Sequence, residues 1–358
     1  MSLWVVVGGQ YGGEGKGKIS AFITKQEEID VCIRCGGPNS GHSFVNNAGQ
    51  VVLLRQLPTG FIRPSTRLLI PAGALVDLEV LKHEIDTFAI NPDRIGVDRN
   101  AMIIEESDKQ FERDLQLRER LSSTLCGVGS AVARRALRGK DVRTAEIASK
   151  NVSWLQQMLT NVSDETNSAL DEGKGVLVEG TQGFGLSLYH SDSYPKATSR
   201  DTTASAFLSE IGLSPLLVTH VVLVLRTFPI RVAGEQAGPM KDEVTWEIIQ
   251  RESGYPYAIE EMTTVTKKTR RVARFDYDLA ITATKVNRPT MLAVNGLDYL
   301  DFDIRGVRKA TLLSHKAAEF LANLHRVLNV PVAFCGTGPG IDELTEDEQT
   351  APGLLATS

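Results

Sequence analysis

Short runs dominated by apolar side chains recur along the chain, each closed by glycine-rich or polar residues. On this pattern residues 4–7, 31–35, 67–70, 176–179, 221–226, 290–295 and 330–335 read as strands. Stretches with helical spacing separate them at 17–24, 76–87, 132–137, 147–169, 204–211 and 311–328. Strands alternating with helices predict an α/β fold. The expected form is a large central, mostly parallel β-sheet flanked by helices, a P-loop-like nucleotide-binding architecture. Such sheets place their ligands beyond the carboxyl ends of the strands, where these glycine-rich segments fall. Residues 231–262 are Gly/Pro-rich and irregular and are expected to include a mobile loop. Residues 1–340 read as one α/β domain and 341–358 as a loosely held acidic tail, with no internal repeat or low-complexity segment anywhere.

Composition narrows the class. The chain has 358 residues, 42% hydrophobic and 23% charged, with a formal net charge of −5. That supports a large buried core and excludes wholesale disorder. No run reaches the roughly 18 apolar residues needed to cross a bilayer; the longest candidate, 216–225, is interrupted by Thr219 and His220. The opening residues carry neither a basic region nor a cleavage pattern, so a cytoplasmic protein is expected. An acidic pI near 5.8, with both signs of charge throughout, argues against a nucleic-acid partner. Four cysteines are too few for a disulfide scaffold. Cys32 and Cys35 have a CxxC spacing, but they fall in an alternating strand where cysteine acts as a small hydrophobe. Cys126 and Cys335 supply no second ligand pair for zinc.

The chemistry is concentrated in Gly8-Gly9-Gln10-Tyr11-Gly12-Gly13-Glu14-Gly15-Lys16-Gly17-Lys18, directly after the first strand. A glycine-rich turn opening a helix presents backbone N–H groups and a positive dipole end to an anion, and Lys16 adds a point charge. Gly12 to Lys18 satisfies the GxxxxGK spacing, but Ile19 stands where a magnesium-binding Ser or Thr would follow. The dinucleotide fingerprint also fails. Further on, Asn39-Ser40-Gly41-His42-Ser43 places His42 just after a strand, on the side of the sheet where the loop emerges. His42 is a candidate general acid or phosphate-contacting imidazole.

Together these segments resemble the adenylosuccinate synthetase family. Gly9 to Lys18 is similar to its GQWGDEGKGK signature, and Asn39 to Ser43 to its NAGHT element. Glu179-Gly-Thr-Gln-Gly183 resembles EGAQG, and Tyr194-Pro-Lys-Ala-Thr-Ser199 resembles YPYVTS. Residues 264–271 resemble the TTGRRRR loop, and Gly336-Thr-Gly-Pro339 the closing STGP. The matches run in family order, and the compact length resembles the archaeal branch. The resemblance implies a ligase: a nucleoside triphosphate phosphorylates the 6-oxygen of a purine monophosphate, and L-aspartate then displaces that phosphate.

It also implies roles. Gly12, Gly13, Glu14, Gly15, Lys16 and Gly17 match the loop that holds the donor phosphate and the phosphoryl acceptor. His42 matches the catalytic acid; Lys16 and Gln182, near the purine 6-position, complete the catalytic set. Gly41 matches a carbonyl ligand of Mg²⁺, the implied cofactor. Asn39, Ser123, Thr124, Gln182 and Thr198 match purine monophosphate contacts. Arg134 matches an arginine reaching the partner subunit's nucleotide in a homodimer, with Arg135 as the alternative. Thr264, Thr266, Lys268 and Arg270 match the aspartate-binding loop. Asn295, Asp298, Gly336 and Gly338 match the donor-base site, where a carboxylate suits guanine N1–H and N2–H. GTP leads as donor and ATP stays open.

One departure matters most. Where the family carries an aspartate, the base for the purine N1 proton and a magnesium ligand, this chain has Gly13. Losing a general base costs about 10²–10⁴ in rate. A glycine frees volume and removes a negative charge beside the purine, which would admit a 2-amino group. The phage-type 2-aminoadenylosuccinate synthetases of the diaminopurine pathway resemble this chain in lacking that aspartate and in a TTVTKK loop. The expected acceptor is therefore dGMP or GMP, in a host cytoplasm if the chain is phage-encoded. The alternatives are an ordinary synthetase acting on IMP, or an inactive nucleotide-binding or sensing protein.

Overall fold

The structure, a computed structural model, describes residues 2–140, 142–263 and 267–346. Its centre is a ten-stranded sheet in the order Leu344–Glu346, Val332–Gly336, Met291–Asn295, His220–Arg226, Ser2–Gly8, Gly175–Glu179, Val31–Arg34, Arg67–Ile70, Ile95–Asp98, Leu159–Thr160. Every neighbouring pair is parallel except the first, where Leu344–Glu346 runs antiparallel along one edge. The expected α/β class and all the strands read from the sequence are present. Strand alternation splits the core between the two faces of the sheet. Trp4 and Val6 face one apolar cluster, with Ile19, Phe22 and Ile23 of the Lys16–Gln26 helix. Leu3, Val5 and Val7 face the other, with Phe207 and Ile211 of the Ala204–Ile211 helix.

Three sequence expectations change. The helix read over 147–169 is broken into Ala145–Ser149, Ser153–Gln156 and Val162–Asp171, with the edge strand Leu159–Thr160 between the last two. Asn161 causes the last break: its side chain caps the following helix by accepting from the Asp164 amide. The stretch 231–262 contains the Trp246–Ser253 helix, started by a Thr245 side-chain cap and stopped at Gly254 in left-handed backbone. Residues 344–346, assigned above to the tail, form the antiparallel edge strand, while 347–358 lie outside the described residues. All four cysteines are buried free thiols; Cys32 points into one core cluster and Cys35 into the other, so the CxxC pair cannot converge on one ion. Among the described residues no helix is long and apolar enough to cross a membrane.

The Ser2–Gly8 strand lies between Gly175–Glu179 and His220–Arg226, where the sheet order diverges in both directions. Its carboxyl end is therefore the switch-point crevice of an open α/β sheet. The glycine-rich loop, Glu179 and Arg226 all emerge there.

Candidate active site

The phosphate loop is shaped by a carboxylate buried inside it. Glu14 Oε1 accepts the amides of Gln10 (2.9 Å) and Gly12 (2.8 Å), and Oε2 pairs with Lys16 Nζ at 2.8 Å. Both side chains of the pair are fully enclosed. Glu14 thus organises the loop, both of its carboxylate oxygens being engaged within it. Gly15 sits at φ 90° before the first residue of the Lys16–Gln26 helix, a conformation that favours glycine. No side chain caps that helix, so its first turn faces an incoming anion with its N–H groups. Asn295 Nδ2 donates to the Glu14 carbonyl (2.8 Å), and Lys18 Nζ donates to the Gly338 carbonyl (2.8 Å). The Asn295 and Gly336–Gly338 segments named for the donor therefore border the loop.

His42 is 3% exposed and joins its Nδ1 to the Glu179 carboxylate at the end of the Gly175–Glu179 strand. Glu179 also accepts from Arg34 NH1 (2.7 Å), the Thr59 amide (2.8 Å) and the Thr59 hydroxyl (2.7 Å). Burial alone would raise the Glu179 carboxyl, but His42, Arg34 and Thr59 outweigh it and keep it ionised. Burial, then Arg34, push the His42 imidazole well below its usual range, while the Glu179 carboxylate pulls the other way and its bond to Nδ1 fixes the ring. Its Nε2 is buried with no partner, the arrangement of an oriented imidazole awaiting an oxygen. Glu179, which orients His42, had no role in the sequence reading. A glutamate closing a strand signals nothing until the fold brings residue 42 against it.

Beside this pair lies a cavity of about 240 Å³. Asn39, Ser123, Thr124, Gln182 and Thr198, read above as purine monophosphate contacts, line it together with Gly41, read as the metal ligand, whereas Gly13 and Arg134 do not. Gln182 holds φ at 60°, uncommon for a side-chain-bearing residue, and its Oε1 is buried with no partner. The sole carboxylate among the described lining residues, Glu112, is committed to the amides of Gly127 and Gly129, each 2.9 Å away. Arg134 departs from expectation. Its guanidinium grips Asp108 (2.7 Å) and Glu105 (3.3 Å) of its own chain, so reaching a partner would require breaking both pairs. Arg135 donates to the Ala72 carbonyl at 2.7 Å.

The volume argument for Gly13 is also corrected. A Cβ there would lie 2.4 Å from Ile230 Cγ1 and 2.6 Å from its Cδ1, and Gly13 does not line the cavity. The missing side chain leaves no hole: Ile230, 2% exposed in the small Ile230–Arg231 strand, fills the direction it would take. What Gly13 does remove is the negative charge. Arg231 of the same strand lies over the Tyr11 ring with its guanidinium carbon 4.7 Å from the centroid, which seats this segment on the phosphate loop.

At the far end of the cavity, Arg270 and Thr263 line the wall. Thr263 was missed by the sequence reading; Lys268 is exposed, donates only its backbone to Thr263 Oγ1 (2.9 Å), and does not line the cavity. Thr264 and Thr266 lie outside the described residues. At the donor-base end, Asp298 is 3% exposed and its Oδ2 is held by the Tyr255 hydroxyl and by Arg305 NH1 at 3.0 Å. The carboxylate is present but partly occupied, which weakens it as a guanine reader. For magnesium the protein donor set is thin. Gly41 lies on the cavity wall, whereas Glu14 and Glu179 are committed and no third acid gathers there among the described residues. Such a set fits Mg²⁺ only as an ion carried by the triphosphate, with Gly41 as a hard oxygen ligand.

Comparison with known proteins agrees with this geometry. The sequence profile of the family described as adenylosuccinate synthetase matches residues 5–153 and 143–303. The adenylosuccinate synthetase of Thermococcus sibiricus is 42% identical over 97% of this chain and 98% of its own length. That of Pyrococcus horikoshii is likewise 42% identical over 97% and 98%. Among solved structures, the fully ligated adenylosuccinate synthetase of Plasmodium falciparum shares the fold, with a TM-score of 0.84 at 19% identity over 97% of this chain and 100% of that one. The cyanophage S-2L succinoaminodeoxyadenylate synthetase, solved with dGMP and with dATP as an energy donor, superposes with a TM-score of 0.82 at 25% identity over 96% and 95%. The chain belongs to the adenylosuccinate synthetase family.

Proposed function

We propose that the protein is a ligase joining L-aspartate to the 6-position of a purine nucleoside monophosphate, driven by a nucleoside triphosphate, with dGMP or GMP as acceptor. The donor's γ-phosphoryl moves to the purine 6-oxygen, the nucleoside diphosphate departs, and a water in the cavity takes the N1 proton. The aspartate amine then attacks C6, and phosphate departs with the C–O bonding pair. Catalysis of this kind is mostly positioning and positive charge. Lys16 and the helix amides serve the phosphoryl group, His42 Nε2 the oxygen that changes hands, and Arg270 a carboxylate of aspartate. Mg²⁺, bound with the triphosphate at Gly41, would neutralise phosphate charge. A homodimer fits the family but requires Arg134 to exchange its acidic partners.

The observation that carries the acceptor assignment is the purine end of the cavity. Gly13 supplies no charge, no lining carboxylate is unengaged among the described residues, and the unpartnered Gln182 Oε1 offers a neutral acceptor. A 2-amino group gives such an acceptor a donor; inosine has none at that position. Among donors, GTP follows the family pattern, and the engagement of Asp298 by Tyr255 and Arg305 supports ATP as the competitor. The names of the archaeal relatives favour a second reading, an ordinary synthetase acting on IMP. Phosphate release with aspartate, Mg²⁺ and GTP or ATP, comparing dGMP, GMP and IMP, separates them. Turnover on dGMP or GMP but not IMP supports the first; turnover on IMP alone overturns it. Silence with every purine leaves the nucleotide-binding alternative.

A further inference from the structure

Arg226 ends the His220–Arg226 strand and is 6% exposed, yet no reading of the sequence gave it a task. It is tied to the phosphate loop at several points. Its amide donates to Gln10 Oε1 and its carbonyl accepts from Gln10 Nε2, both at 3.1 Å. Its NH1 donates to the Gly13 carbonyl at 3.0 Å. The same nitrogen and its neighbour reach across to Glu261, with NH1 to Oε2 at 3.1 Å and NH2 to Oε1 at 2.6 Å. The Tyr299 hydroxyl adds a third bond to Glu261 Oε1, at 2.9 Å.

Glu261 stands at the stem of the segment that presents Arg270 to the cavity. Its carbonyl accepts the Arg270 amide at 2.7 Å, and beyond it Met262 and Thr269 form a bridge. One guanidinium therefore holds the loop that receives phosphate and the stem of the segment that grips aspartate. A partly buried, bidentate arginine–carboxylate pair is stiff and directional. A shift of the Gly13 carbonyl would be passed by NH1 to Glu261, and through its carbonyl to the Arg270 backbone.

We propose that Arg226 is a positioning residue that couples the two substrate sites: occupancy of the phosphate loop sets the affinity for aspartate through the Gly13–Arg226–Glu261–Arg270 contacts. This rests on the ligase reading above for the identity of the second substrate, though the coupling itself does not need turnover to be seen. By linkage the effect is reciprocal, aspartate tightening the phosphate site by the same factor.

The protein carries its own reporter. Trp246 Nε1 donates to the Arg270 carbonyl at 2.8 Å, so indole emission follows the aspartate segment. Tripolyphosphate added to the full chain should change that emission, and the change should be absent from Trp246→Phe. In Glu261→Gln, which keeps the shape and removes the charge, and in Arg226→Lys, which keeps a cation and loses the fork, the response should fall at least fivefold. A Glu261→Gln protein that responds like the wild type overturns the coupling, as does a wild type whose Trp246 emission ignores tripolyphosphate. In turnover, both variants should raise the aspartate KM about tenfold and leave the purine KM within twofold. A uniform rise in every KM, or a fall in Tm alone, would make the pair merely structural and overturn the proposal. If no purine supports turnover, the ligase reading fails while the emission test still decides the coupling.

Discussion

The phosphate loop and the segment proposed to face aspartate are built by opposite means. In the first, every charge is answered internally: Glu14 holds two loop amides and Lys16 while buried at 1% exposure, and Asn295 holds the Glu14 carbonyl. In the second, Lys267, Lys268 and Thr269 are exposed, and the turn is held by backbone contacts between Thr263 and Lys268. A site that must receive a reacting group at fixed geometry is built before the ligand arrives. A site that must admit and release a small diacid is left open to water. Substitutions in the first should therefore damage folding and rate, and those in the second should alter KM.

The sharpest break would come at Glu14. Glu14→Ala leaves the buried Lys16 cation unpaired and two amides without an acceptor, and should cost about 3–5 kcal/mol of stability, read by denaturant unfolding. Full stability would mean that the loop is not internally organised. Next, His42→Ala should lower turnover by at least about 10² with the fold intact, and a near-normal rate would remove His42 from the reaction. At Gly13 the expected effect is smaller: Gly13→Asp should lose about 1–3 kcal/mol by overpacking against Ile230, along with dGMP activity. Adding Ile230→Ala should recover most of the stability, whereas independent, additive losses would separate the two positions.

The open segment should behave differently. Arg270→Ala should raise the aspartate KM at least about tenfold at nearly unchanged Tm, while Lys268→Ala shifts it less than about twofold, in keeping with a solvated charge. The smallest effect concerns Lys18. Burial lowers its pKa to about 8, against the pull of Asp298 and Glu343. The unfolded chain then binds more protons than the folded one between about pH 8 and the ordinary lysine value of 10.5. Wild-type stability relative to Lys18→Met should therefore rise with pH across that window. A flat difference in Tm between pH 7 and 10 would show a normally titrating lysine.

What the sequence made legible follows the same division. Parallel strands buried on both faces are dense in apolar residues, so the central strands stand out from composition alone. The glycine-rich loop is legible because left-handed backbone at Gly12 and Gly15 favours glycine. Interruptions by caps are harder to see: Asn161 looks like one polar residue in a helical stretch until its side chain is seen on the next helix's amides. The site residues with no local signature were missed altogether. Arg226 and Glu261 act through partners 213 and 35 positions away, and nothing in their own neighbourhoods marks them, while Glu179 falls in a motif match but meets His42, 137 positions away, only in the fold. Ile230 was invisible for another reason: whether Gly13 leaves a hole depends on what faces it.

The central place of the Ser2–Gly8 strand has a consequence for how the protein is made. It is synthesised before both of its partners, Gly175–Glu179 and His220–Arg226. Contacts so distant along the chain close slowly. Until the later strands emerge, a near-continuous apolar strand has neither neighbour, a state prone to association with other chains. The loop after Gly8 is therefore completed late in synthesis, when Arg226 and Asn295 arrive to bond the Gly13 and Glu14 carbonyls.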